Sequence, residues 1–168
     1  MGAGRGTTLV VGAAAPPFAL RNAAGGLVKL SDFRGQRVVL YFYPKDDTPG
    51  CTKEACGFRD AFPQFTKKGA VILGVSCDEP SSHQRFADKY RLQFPLLSDP
   101  DARLCKAYGV YKRKSMYGRT YWGIERTTFV IDERGRIARI FPKVGVEGHI
   151  DAVLRELGEP ASASVSVR

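Results

Sequence analysis

Two cysteines five residues apart, Cys51 and Cys56, follow a Thr-Pro-Gly corner in the stretch YFYPKDDTPGCTKEAC. An apolar, β-like run stops at Pro44, charged and small residues turn the chain, and Cys51 opens a segment with helical spacing. A thiol at a helix N-terminus meets unpaired N–H groups and the positive end of the helix dipole. Both favour thiolate over thiol, so this is a place for a nucleophilic sulfur. Thr48, three residues upstream across the corner, can turn its hydroxyl back toward that sulfur, and Pro44 can shield one side. A free cysteine is commonly no more than a small buried hydrophobe. The corner, the helix start and the nearby hydroxyl set Cys51 apart from that ordinary case.

The surrounding elements must hold this turn in place. Residues 37–43 (RVVLYFY) and 70–76 (AVILGVS) are continuous apolar, β-branched runs, the pattern of central strands buried on both faces. Between them, residues 52–67 have helical spacing, with Ala55, Phe58, Phe62 and Phe65 on one side and Pro63 as a kink or break. A helix is expected over 81–90, capped by Ser81 or Ser82. A short strand over 94–97 follows, and then a short helix over 101–108 capped near Asp99. Residues 127–131 and 136–141 read as a hairpin across Asp132-Glu-Arg-Gly135, and 147–157 as a closing helix. Alternating strands and helices with a terminal hairpin imply an α/β protein. The order fits a thioredoxin-like fold, a mixed central sheet flanked by helices. One such domain is expected over 9–158, with residues 1–8 and 159–168 as disordered ends.

The bulk composition narrows the chemistry. A chain of 168 residues suits one domain with a real core. No apolar run approaches the roughly 18 residues that span a bilayer. Pro16-Pro17 interrupts the N-terminal apolar run, and a single Arg is a weak leader, so no signal peptide is expected. Gly6 stands where myristoylation wants Ser or Thr. Four cysteines are too few for a disulfide scaffold. One close cysteine pair without paired histidines does not make a zinc site. His83 and His149 read as surface or helix-end residues, and Cys77 and Cys105 as small hydrophobes in apolar elements. The net charge of +9 is mostly interspersed, except for YKRKSMYGRTYW (residues 111–122), which reads as an exposed basic loop rich in aromatics.

The motifs go further. Pro44-x-x-x-Thr48-x-x-Cys51 resembles the active-site signature of the peroxiredoxins, and residues 41–60 are similar to the PrxQ branch, also called bacterioferritin comigratory protein. VGAAAPPFAL, LSDFRG, FPLLSDPD and ERTTFVID fall in that family's order, so the resemblance extends over about residues 9–157. It implies that Cys51 attacks the O–O bond of a peroxide and becomes a sulfenic acid. It further implies that Thr48 hydrogen-bonds the peroxide, Pro44 shields the pocket, Arg126 is the active-site arginine, and Glu54 supports the arginine network. No cofactor or metal is implied.

Magnitudes show why an arginine is needed. A thiol of pKa about 8.5 is about 3% ionised at pH 7, and lowering the pKa to about 6 raises that to about 90%. The gain is only about thirtyfold, or roughly 2 kcal/mol, where enzymes supply about 8 kcal/mol or more. The remainder has to come from fixed donors at the breaking bond.

A sulfenic acid is protected from further oxidation by a second thiol, and the resemblance points to Cys56 as the resolving residue. On an intact helix two Cα atoms five residues apart lie roughly 8.6 Å from each other, beyond disulfide range, so the first turns must unwind for the bridge to form. The expected partners are a small peroxide and thioredoxin or a similar dithiol reductant, which could dock on the basic aromatic loop. The chain is expected to be a cytoplasmic monomer that binds neither membrane nor nucleic acid. Two other classes compete. A general disulfide oxidoreductase would show a Cys-x-x-Cys spacing that is absent here. A basic binding module would rest on the net charge alone.

Overall fold

The computed structural model describes residues 9–158, so the expected disordered ends lie outside the described residues. The strands are β1 (Ala19–Asn22), β2 (Leu27–Lys29), β3 (Arg37–Phe42), β4 (Ala70–Ser76), β5 (Leu96–Ser98), β6 (Tyr111–Met116), β7 (Arg119–Ile124), β8 (Thr127–Ile131) and β9 (Ile137–Phe141). The helices are α1 (Pro49–Asp60), α2 (Phe62–Lys67), α3 (Pro80–Tyr90), α4 (Arg103–Ala107) and α5 (His149–Leu157). Seven strands form one mixed sheet in the order β2-β1-β5-β4-β3-β8-β9. Its centre is parallel from β3 through β4 to β5, and β8 pairs antiparallel to β3. This is the α/β, thioredoxin-like arrangement that the pattern implies.

The continuous apolar runs became the central strands because each lies between two cores. Val39, Tyr41 and Tyr43 point to the face that carries Cys51, Ala55 and Phe58 of α1. Val38, Leu40 and Phe42 point to the other face, against Tyr108 and Phe129. The period of two along β3 sorts its side chains between the layers. On the first face Phe58 stacks against Tyr41 with ring centroids 4.7 Å apart and lies 5.6 Å from Phe65, so α1 is bolted to β3 through aromatic contacts.

Several boundaries differ from expectation for identifiable reasons. The reactive helix begins at Pro49, because a proline in the first turn loses no needed N–H and already has helical φ. The break before α2 falls at Ala61, two residues ahead of Pro63, which sits in the first turn of the new helix. Helix α3 starts at Pro80 with Glu79 in the N-cap position, and Ser82 spends its hydroxyl on Asp46 instead of capping. Near α4 the expectation holds in substance, since the Asp99 carboxylate accepts the backbone N–H groups of Leu104 and Cys105. The basic aromatic segment is no loop. It is the two-stranded hairpin β6–β7, closed by Tyr117 and Gly118 with φ of +53° and +76°, the backbone of a hairpin turn.

At Gly57 α1 packs against α5, where an added Cβ would stand 2.7 Å from Ile150 Cγ1. Gly57→Ala should therefore destabilise the protein by about 1–2 kcal/mol, overpacking outweighing the gain in helix propensity. Urea unfolding of the reduced protein checks this.

Candidate active site

Cys51 is the third residue of α1, in the turn whose N–H groups lack intrahelical acceptors, and only 1% of it is exposed. Across the sheet, β8 begins one residue after Arg126. The pairing of Phe42 with Thr127 brings Arg126 level with the exit of β3. Its Nη1 donates to Cys51 Sγ at 3.5 Å and to Glu54 Oε1 at 2.7 Å. Sulfur, guanidinium and carboxylate thus form one cluster, with a fixed positive charge directed at the sulfur. The fit is tight, since a Cβ on Gly50 would stand 2.9 Å from Arg126 Nη2.

Glu54 is completely buried, and its Oε2 has no hydrogen-bond partner. Burial pushes its carboxyl up to about 7, outweighing the pull of Arg126 in the opposite direction. His149 stands behind it, with Nε2 4.0 Å from Glu54 Oε2 and 2.8 Å from the Thr128 hydroxyl, its ring edge-on to Phe58 and Phe141. Burial and the Arg126 charge hold that imidazole down at about 4, so it is neutral at pH 7. The buried Tyr41 hydroxyl borders the same cluster, and burial raises it well above its ordinary value.

Thr48 is the N-cap residue of α1, but its hydroxyl donates to Lys45 O at 2.9 Å and not to the sulfur. With its proton committed there, the oxygen faces other groups only as an acceptor. Pro44 is exposed. Cys56 is half-buried on the same helix, and both thiols are free. A groove of about 1060 Å³, lined by Lys106, Tyr108, Tyr111, Trp122 and Phe129, contains none of these groups.

The loop from β3 into α1 is held by a cluster around His83, a residue expected at the surface or a helix end. His83 is fully buried, with its ring nitrogens 2.8 Å from Asp46 Oδ2 and 3.0 Å from Leu97 O. Asp46 also accepts from Tyr43 Oη at 2.6 Å and from Ser82 Oγ at 2.7 Å, and its backbone N–H donates to Asp78. Asp46, Asp78 and His83 lie close enough to share a cation. The Asp46 carboxylate and the Asp78 Oδ2 are, however, spent on these internal hydrogen bonds, and the cluster acts as a knot. Isolated histidines carry no periodic signal, so only the fold reveals that both are buried.

Comparison with known proteins fixes the family. The AhpC/TSA family model matches residues 11–140. The chain is 47% identical over 150 residues to peroxiredoxin Bcp of Bacillus subtilis, covering 89% of this chain and 96% of that one. It is also 47% identical over 153 residues to peroxiredoxin Bcp of Escherichia coli K12, covering 91% and 98%. The chain belongs to the AhpC/TSA family, among its Bcp/PrxQ peroxiredoxins. Solved structures agree. A PrxQ mutant of Xylella fastidiosa superposes with a TM-score of 0.86 at 40% identity, covering 96% of this peroxiredoxin and 100% of that chain. Peroxiredoxin Q of Xanthomonas campestris gives 0.80 at 46% identity, covering 83% and 89%. The peroxiredoxin is accordingly a thiol peroxidase, an oxidoreductase. No helix of its described residues is long and apolar enough to cross a membrane.

Two outcomes follow from this geometry. Gly50→Ala should displace the Arg126 guanidinium and lower the second-order rate of peroxide consumption about a hundredfold, with the fold retained by circular dichroism. The second concerns pH. Glu54 has its folded value raised from 4.5 to about 7, so its contribution to stability is complete below about 4.5 and is lost as pH rises to about 7. His149, lowered from 6.5 to about 4, contributes stability that is present above about 6.5 and lost as pH falls to about 4. The two slopes oppose each other in the wild type. Glu54→Gln should leave stability rising between about pH 4 and 6.5, and His149→Gln should leave it falling between about 4.5 and 7. Each slope approaches about 1.4 kcal/mol per pH unit, read by urea unfolding across that range.

Proposed function

We propose that this peroxiredoxin reduces hydrogen peroxide and small organic hydroperoxides with Cys51 as the attacking thiol and Cys56 as the thiol that resolves it. The observation that carries this reading is the Arg126 guanidinium on Cys51 Sγ at 3.5 Å, at the start of a helix that also bears Cys56. The Cys51 sulfur attacks one peroxide oxygen, the O–O bond breaks, and the other oxygen leaves as water or an alcohol. Arg126 and the free N–H groups of the first turn stabilise the charge that develops on the oxygens. Thr48, its own proton given to Lys45 O, accepts the peroxide O–H, and Pro44 closes the outer side of the pocket. Glu54 holds the guanidinium in position.

Cys56 then displaces hydroxide from the sulfenic acid to form the Cys51–Cys56 disulfide, releasing water once a proton is taken up. Both residues lie within α1, so its first turns unwind to let the sulfurs meet. Thioredoxin or a similar dithiol protein returns the pair to thiols. The exposed Tyr117, Tyr121 and Trp122 on the basic hairpin form a surface for that reductant. The solved Xanthomonas campestris bacterioferritin comigratory protein is described as having alkyl peroxide reduction activity, which supports the organic substrate. We assign the chain as a cytoplasmic monomer with one domain over residues 9–158, using neither metal nor cofactor.

The test is an intact mass and disulfide map after one equivalent of hydrogen peroxide is added to the reduced protein. Loss of two hydrogens with a Cys51–Cys56 bridge, accompanied by a drop in helical circular dichroism, is the expected result. A bridge from Cys51 to another cysteine would overturn the role of Cys56, and an unreacted Cys51 would overturn the whole reading.

A further inference from the structure

Cys77 and Cys105 come from separate parts of the chain and meet on the face of the sheet opposite Cys51. Cys77 follows the last residue of β4 and packs half-buried against the core cluster that contains Cys105, near enough for each thiol to act on the other's titration. The sheet and one carboxylate enforce this meeting. Ser76 pairs with Ser98 across β4 and β5, and the Asp99 N–H donates to Ser76 O at 2.9 Å. The Asp99 carboxylate then accepts the Cys105 N–H at 2.8 Å and anchors α4. Cys77 is therefore a partly accessible thiol, and Cys105, 0% exposed, is its buried neighbour.

We propose that Cys77 and Cys105 form a second redox centre, closed to a disulfide by peroxide without the participation of Cys51 or Cys56. The Cys77 sulfur attacks one peroxide oxygen, and the O–O bond breaks to release water or an alcohol, leaving a sulfenic acid on Cys77. The Cys105 sulfur displaces its hydroxyl, an S–S bond forms, and water leaves. The two thiols lose two hydrogens in all, and the peroxide takes the two electrons.

The surroundings of the pair give the centre its character. Cys77 is partly accessible and Cys105 fully buried, so Cys77 is the half that a peroxide reaches and Cys105 the half that follows. The influence of each thiol on the other, lowering Cys77 and raising Cys105, acts in the same sense. The charges that act on Cys77 are the carboxylates of Asp99, Asp78 and Asp101. They repel anionic oxidants but admit a neutral peroxide. Without an arginine such as Cys51 has, the reaction should run about a hundredfold or more slower than that of Cys51. The bridge would tie the end of β4 to α4 and shield Cys77 from further oxidation.

The experiment uses the full-length Cys51→Ser/Cys56→Ser variant, which keeps only this pair, so its result does not depend on the reading of Cys51. Excess hydrogen peroxide should remove two hydrogens, peptide mapping should place the bridge at Cys77–Cys105, and a dithiol should reverse it. Adding Cys77→Ser should abolish the change. In the wild type the same bridge should appear after the first equivalent of peroxide has been consumed, which serves as the reading if the double variant folds poorly. Gain of oxygen on Cys77 without a bridge, a disulfide between two molecules, or thiols that survive the excess would each overturn the proposal.

Discussion

The contact between Arg126 and Glu54 is the constraint on which the site depends. A guanidinium has to be fixed against a sulfur that is 1% exposed, and a completely buried carboxylate is the group that fixes it. Such a pair is costly to desolvate and costlier to break, since either partner alone would be an uncompensated charge in the core. The surroundings are shaped to it. Position 50 carries no side chain, the ring of His149 is held neutral behind the carboxyl, and Tyr41 and Phe58 seal the flank. Because the Glu54 carboxyl titrates near neutrality, the positive charge on Arg126 is only partly compensated there. The balance of it is available to the sulfur.

A second set of contacts fixes where the helix begins. The loop before α1 carries Asp46 into the protein, where Tyr43, Ser82 and His83 close on its carboxylate. His83 in turn bonds the Leu97 carbonyl in β5, so the start of the reactive helix is referred through α3 to the third strand of the central sheet. The chain thus positions its reactive turn from two sides. One anchor is an ionic contact on the sulfur, and the other a hydrogen-bonded knot that never touches it.

The sequence revealed what is periodic and local. β3 and β4 were legible because strands buried on both faces are continuous apolar runs, β8 because a turn signal follows it, and Cys51 because a helix-start thiol has a local signature. β1 and β2 are too short and too polar to stand out, and the hairpin β6–β7 is so exposed that its residues resemble a loop. The arginine needed a motif to distinguish it from an ordinary strand-end residue. Glu54 was suspected only as a supporter, and nothing in its spacing announces complete burial. The two histidines and the meeting of Cys77 with Cys105 are products of tertiary packing between distant segments, to which spacing along one segment is blind.

The register that pairs Phe42 with Thr127 separates chemistry from variation. Arg126 precedes β8 and the loop to Cys51 leaves β3, so two adjacent strands bring these residues level at the two ends of the chain that joins them. Within that joining chain the hairpin forms a two-stranded sheet of its own among the described residues, and its turn carries Tyr117 at 95% exposure. A peptide epitope, a fluorophore or a surface tether grafted at that turn would ride outside the frame that aligns the reacting atoms. The fold thus offers an attachment point clear of the reacting atoms, one that would share the hairpin with the reductant.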